Sequence, residues 1–130
     1  MLLQPVIHGE ESRLHLGQRT DVNDTVFNTM SGEIFVGDFT FFGHGCQVLT
    51  GRHDVSIRDL ERKEHPASGF DVHIGQGVWV GSGAIILSGV HIADHAVIAA
   101  GSVVTRDCNE AGIYGGNPAS LIRKIDFVKE

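Results

Sequence analysis

From Ile74 to Asn109 the chain repeats every six residues, reading IGQGVW, VGSGAI, ILSGVH, IADHAV, IAAGSV, VTRDCN. An aliphatic residue opens each unit at Ile74, Val80, Ile86, Ile92, Ile98 and Val104, and a small residue follows four places later at Val78, Ala84, Val90, Ala96, Ser102 and Cys108. Neither a helix nor a half-buried strand has that period. A fixed hexapeptide repeat predicts a parallel β-helix whose coil has three flat sides, one unit to a side. A run of β-hairpins would alternate with period two and break at Asn-Gly or Asp-Gly turns instead of holding phase.

The same rhythm organises the rest of the chain. Residues 1–15 carry Leu2, Leu3, Val6 and Ile7 without a clean hexapeptide, so an irregular first turn covering one end is expected. Weaker units start at Leu16 (LGQRTD) and Val22 (VNDTVF), slip by two residues around Asn28 and Thr29, and resume as MSGEIF, VGDFTF, FGHGCQ and VLTGRH. Between Arg52 and Asp71 the repeat vanishes into a charged stretch, a loop expelled from the coil; loops of this length in compact domains are more often functional than idle. After Asn109 the segment EAGIYGGNPASLIRKIDF leaves the repeat, and Pro118 followed by Leu121, Ile122 and Ile125 predicts a short helix capping the last coil. The expected organisation is a single domain over 1–130, with repeats at about 16–53 and 74–109, a loop at 54–71 and a C-terminal cap at 110–130.

If the opening residue of a unit points inward, the residue before it points outward, and residues eighteen apart stack on one side. Trp79 and Val97 then share one face, Ile85 and Val103 a second, and His91 and Asn109 a third. Two faces are thus apolar outside, which suits closed threefold packing and predicts a homotrimer.

Composition narrows the function classes. A length of 130 residues with 42% hydrophobic content fits one domain, and 17 glycines against 3 prolines fit a fold made of tight corners. A formal charge of −6 argues against nucleic acid or anionic membrane as partner. The opening MLLQPV lacks the flanking charge and length of a signal peptide, and no apolar run reaches membrane-spanning length, so a cytoplasmic protein is expected. Cys46 and Cys108 both fall in the small-residue slot of a unit and read as buried, reduced thiols.

Four pieces carry a more specific signal: LTGRHD at Leu49–Asp54, IGQGVWVGSGAIILSGVHI at Ile74–Ile92, AAGSVVTRD at Ala99–Asp107 and GGNPAS at Gly115–Ser120. Together they make the chain, from about Leu16 to Ile125, resemble the hexapeptide-repeat acyltransferases, in the sugar O-acetyltransferase branch that includes galactoside and maltose acetyltransferases. The resemblance implies an all-β, left-handed parallel β-helix, a trimer with active sites between subunits, acetyl-CoA as donor and a sugar hydroxyl as acceptor, with no metal. Carried over by position, His53 matches the catalytic histidine and Asn23 the asparagine beside it. Trp79 and Ser82 match residues at the acetyl and pantetheine end of the donor, Ala100 and Thr105 further donor contacts, and Arg106 and Arg123 basic residues near the nucleotide phosphates. Ser31 stands where galactoside-type enzymes carry an acidic residue, and Ser120 where a basic residue follows GNPA. The helical N-terminal segment of maltose-type enzymes has no counterpart, which makes a small polysaccharide-pathway enzyme the closer analogue.

Acetyl transfer to an alcohol needs a base for a poorly nucleophilic hydroxyl, and an imidazole with an ordinary pKa of about 6.5 suits neutral pH. The tetrahedral oxyanion needs preorganised donors, for which the Gly81–Gly83 corner is the candidate. Three other readings remain open: an amino-sugar N-acetyltransferase using the same base, a γ-type carbonic anhydrase binding zinc through histidines such as His91 and His95, and a non-catalytic β-helix scaffold.

Overall fold

The computed structural model describes residues 3–128, so Leu2 lies outside the described residues. The chain winds as a left-handed parallel β-helix of three sheets. One side stacks β1 (Val6–His8), β3 (Val26–Asn28), β6 (Gln47–Leu49), β9 (Ile85–Ile86) and β12 (Val103–Val104); we call it face A. Face B stacks β2 (Leu14–Leu16), β4 (Ile34–Val36), β7 (Val72–Ile74) and β10 (His91–Ile92). Face C holds β5 (Phe41–Phe42), β8 (Trp79–Val80), β11 (Val97–Ile98), β13 (Gly112–Gly116) and β14 (Ala119–Lys124).

The hexapeptide pattern sets this winding. Every opening aliphatic from Ile74 to Val104 is buried, and so is every small residue four places on. The fourth position of a unit turns the corner with a left-handed backbone, at φ +75° for Gly83 and +72° for Gly101. His95 occupies the same slot at φ 63° without a glycine's freedom. Trp79 pairs with Val97 and Ile85 with Val103, the eighteen-residue step expected of three units per coil. In the early coils aromatic rings fill the interior, Phe27 meeting Phe42 edge-on with centroids 5.7 Å apart.

Four expectations need correction. Residues 3–15 are no irregular cover: β1 and β2 already pair in parallel with β3 and β4, and a 3₁₀ turn at Glu11–Arg13 joins them. The two-residue slip is the net of two changes, since Val22 to Phe27 is one residue shorter than a unit and Phe27 to Val36 three longer than one.

The repeat also ends early. Cys108 bridges Ile92 and Ile113 pairs with Val97, each sixteen residues on instead of eighteen. The Asp107 carboxylate accepts the His91 N–H at 2.8 Å and so closes the shortened corner. Asp107, not Asn109, therefore stacks beside His91, and Cys108 fills an inward strand position. On the same face the rings of His15, Phe35, His73 and His91 stack in one column, with neighbouring centroids 4.6, 4.8 and 4.4 Å apart. A face that reads as polar in the regular repeat is in fact a ladder of rings.

The C-terminal cap is a strand, not a helix. β14 pairs antiparallel with β13 across a turn at 116–119. Leu121, Ile122 and Ile125 satisfy a helical spacing, but a helix would leave the N–H and C=O groups along the last edge of face C open; a strand pairs them. Tyr114 and Ala119 close this end of the coil, the tyrosine hydroxyl donating to the Glu110 carbonyl at 2.7 Å.

Candidate active site

The chain leaves the coil after Thr50 and rejoins it at Val72, with one short helix, α1 (Asp59–Arg62), between. Ser31, fully buried, ties both strands of the neck: its hydroxyl accepts the Arg52 N–H at 3.2 Å and its carbonyl accepts the Phe70 N–H at 3.2 Å. Asn28 holds the exit, its side-chain oxygen accepting the Gly51 N–H at 3.1 Å and its carbonyl the Thr50 hydroxyl at 2.8 Å. Inside the loop the Arg62 guanidinium donates to the carbonyls of Ile57 and Val55 at 2.7 and 2.9 Å. This clamps the segment after His53 against α1.

His53 is the best-fixed side chain of the loop. Its Nδ1 lies 2.8 Å from the Arg62 carbonyl and 2.9 Å from the Glu64 carbonyl. Carbonyl oxygens only accept, so Nδ1 carries a proton, and in the neutral ring Nε2 is the nitrogen with the free lone pair. The imidazole borders a cleft of about 680 Å³ with Arg52, Val55, Phe70, Leu87 and Ser88. This tautomer is the one a general base requires.

A second recess, of about 460 Å³, lies where face C turns into face A, and Trp79, Gly81, Ser82, Val97, Ala100 and Ile113 line it. Trp79 is half exposed and stacks nearly parallel to Phe41 with centroids 6.1 Å apart. The Ser82 hydroxyl accepts the His44 N–H at 3.0 Å. The N–H groups of Gly81 and Gly83 are bonded to Ile98 and His44 carbonyls, so these two amides are not the oxyanion donors expected from the sequence. The amides of Ser82 and Ala100 make no hydrogen bond among the described residues.

The structure brings Trp79, Ser82 and Ala100 around one recess, and Arg123 continues the same outward column through Val97 and Ile113. Thr105 and Arg106 lie at the opposite edge of face A, on the corner that also carries Leu87 and the His53 cleft. Asn23 sits at the face C to face A corner with φ 47°, and its amide donates to the Phe42 carbonyl at 2.7 Å. It is not beside the loop; the asparagine that touches the neck is Asn28. Its signal in the sequence was the two-residue slip at Asn28–Thr29, which marks the coil opening to receive the neck. No residue lines both the His53 cleft and the Trp79 recess.

The two thiols belong to neither. Cys46 is buried and donates to the Gly81 carbonyl at 3.3 Å, and burial raises its pKa. Burial, helped by the Asp107 charge, pushes Cys108 from 9.0 up to about 11. Because the folded state holds this proton more tightly, Cys108 contributes stability below about pH 9 that fades as the pH climbs toward 11. At pH 8 the native protein should react slowly with a disulfide reagent and release two equivalents of chromophore only after denaturation; fast native labelling would show a solvent-open thiol.

Among the described residues no three His, Cys, Asp or Glu side chains converge to hold a metal ion. His91 stacks on His73, whereas His95 packs edge-on to Phe127 with centroids 5.9 Å apart, so the two do not share a site. No helix among the described residues is long and apolar enough to cross a membrane.

Residues 71–106 match the family model described as bacterial transferase hexapeptide (six repeats). The galactoside O-acetyltransferase of Lactococcus lactis is 36% identical over 87% of this chain and 54% of its own length. A maltose O-acetyltransferase from Clostridium difficile superimposes with a TM-score of 0.77 at 30% identity, covering 95% of this chain and 68% of that one. A galactoside acetyltransferase solved in complex with coenzyme A superimposes with a TM-score of 0.68 at 25% identity, covering 97% of this chain and 62% of that one. The chain belongs to the hexapeptide-repeat acyltransferases, in the branch that holds the galactoside and maltose O-acetyltransferases. It spans little more than half the length of the curated relatives it matches.

Proposed function

We propose that the protein transfers the acetyl group of acetyl-CoA to a hydroxyl of a saccharide, with His53 as general base, in sites shared between the subunits of a homotrimer. The observation that carries this reading is the pair of carbonyls on His53 Nδ1, which makes Nε2 the basic nitrogen of the neutral ring at the mouth of a cleft. The acceptor hydroxyl gives its proton to Nε2 as its oxygen attacks the thioester carbonyl. The amides of Ser82 and Ala100 are placed to receive the oxyanion, and collapse releases CoA thiol. Asn28 holds the loop exit and thereby positions His53. The relatives named as sugar O-acetyltransferases, one of them solved with coenzyme A, support the choice of donor and acceptor class. The buried reduced thiols accord with a cytoplasmic setting.

A shared site follows from the separation of the two halves. Reacting atoms must approach to about 3–3.5 Å, yet His53 and Trp79 border different cavities on opposite edges of face A. Apolar outward side chains at Phe41, Trp79, Val97 and Ile113 offer the surface on which a neighbouring copy would close. The subunit-mixing experiment tests this. His53→Ala and Trp79→Ala trimers, each weak alone, are dissociated together and reassembled. If every site takes one residue from each of two subunits, random mixing restores about a quarter of wild-type activity. No recovery places both residues in one chain's site. Absence of acetyl-CoA consumption by the wild type with any saccharide removes the acetyltransferase reading.

A further inference from the structure

The His53 cleft contains a cation that the acetyl-transfer reading leaves idle. Arg52 immediately precedes the base, and both line the same space with Phe70, Leu87 and Ser88. Its backbone is fixed by the hydrogen bond to the buried Ser31 hydroxyl. Its guanidinium lies over the Phe70 ring, 5.0 Å from the centroid. That contact is a cation–π attraction and supplies no oxygen acceptor for the guanidinium N–H groups. Among the described residues these groups make no salt bridge and no hydrogen bond: the ion pairs there are His15 with Glu33, His44 with Asp24, and Lys124 with Glu110. The one carboxylate lining the cleft, Asp54, accepts the Ser56 hydroxyl at 2.6 Å and the Ser56 N–H at 2.9 Å; those bonds, with a smaller contribution from the Arg52 charge, lower its pKa, but it makes no ion pair with the guanidinium. A positioned arginine with unclaimed donors beside a general base is a recognition element looking for an anion.

We infer that Arg52 selects acceptors whose sugar unit bears an anionic group, a carboxylate or a phosphate, close to the hydroxyl that His53 deprotonates. The proposal rests on the acetyltransferase reading and adds to it a class of acceptor. Arg52 and His53 line the same cleft, so one acceptor can present its anionic group to the first and its hydroxyl to the second. Carboxylate and phosphate oxygens both match the guanidinium fork, and charge-assisted bonds of this kind exceed neutral ones in strength.

The test compares galactose, galacturonate and galactose 6-phosphate as acceptors for the full-length trimer, followed by thiol release from acetyl-CoA. In parallel, calorimetry measures binding of each sugar without donor. At least one charged sugar should exceed galactose by about 10- to 100-fold in kcat/KM, the worth of a hydrogen-bonded charge. Arg52→Ala should bring the ratio near one, mainly through KM, and Arg52→Lys should keep part of it. Which charged sugar leads tells carboxylate from phosphate. Equal turnover of charged and neutral sugars by the wild type overturns the role of Arg52 while leaving acetyl transfer intact. Turnover of none of them counts against acetyl transfer to sugars. Calorimetry then decides Arg52 separately, since binding of a charged sugar that is lost in Arg52→Ala upholds the anion site and failure of both charged sugars to bind overturns it.

Discussion

His53→Ala should lower kcat by about 10²–10⁴ while acetyl-CoA still binds, a loss of about 3–5 kcal/mol from transition-state stabilisation. The effect falls on turnover because the base acts on the acceptor hydroxyl, while the recess where the donor is proposed to sit is lined by Trp79, Ser82 and Ala100, which the substitution leaves untouched. It is also confined in structure. The imidazole is exposed, and its removal breaks the Nδ1 bonds to the Arg62 and Glu64 carbonyls and an edge contact with the His65 ring, leaving the Ser31 neck and the Arg62 staple in place. His53→Asn retains a donor for those carbonyls and has no basic Nε2; it should be as inactive as alanine if the base is what matters. Steady-state thiol release, with calorimetric titration of CoA, separates the two steps. An alanine variant with undiminished kcat would remove His53 from the reaction.

The largest effect on stability is expected at Phe42→Ala, at about 3–5 kcal/mol. Phe42 is 2% exposed and meets Phe27 edge-on, and its backbone carbonyl anchors the Asn23 amide at the adjacent corner. The cavity cannot collapse easily, because the coil is held in parallel register on both sides, the Phe41 and Gly43 N–H groups donating to the Val78 and Val80 carbonyls and the Phe42 N–H to the Asp21 carbonyl. Against a typical total of about 5–15 kcal/mol, this lowers the melting temperature by roughly 10 °C or more at fixed protein concentration. Phe42→Leu, which keeps most of the volume, should cost less than half as much. Equal melting points for wild type and Phe42→Ala would mean that the ring is not packed as described.

The coil was legible because its signal is additive: twelve inward positions between Ile74 and Cys108 agree with one period, and local errors do not disturb the sum. What escaped depended on single side chains that compensate for a broken period. Asp107 replaces two residues of strand by one carboxylate, so VTRDCN still looks like a complete unit while spanning a short corner. Ile122 and Leu121 fit either a helix or a strand, and the choice was made by an unpaired sheet edge that lies in no local window. Asn23 and Asn28 differ in the same way. Asn23 stands inside a regular-looking unit and Asn28 in the slip that follows it, and only the fold shows that this slip is where the coil opens to admit the neck of the loop. The loop itself reads as expelled, but that His53 bonds to carbonyls nine and eleven residues later requires the helical turn at Asp59–Arg62.

The Ser31 tie has a consequence for how acceptor choice can change. Both strands of the neck hang from one buried serine, one on its hydroxyl and the other on its carbonyl, and β6 and β7 keep their places in faces A and B. The coil therefore senses only that the ends of the loop are close together, and closure entropy rises slowly with loop length. Residues 54–69 can be lengthened, shortened or exchanged without moving a single strand pairing. In this architecture the part proposed to meet the acceptor is a replaceable attachment, while the solenoid that carries it stays constant.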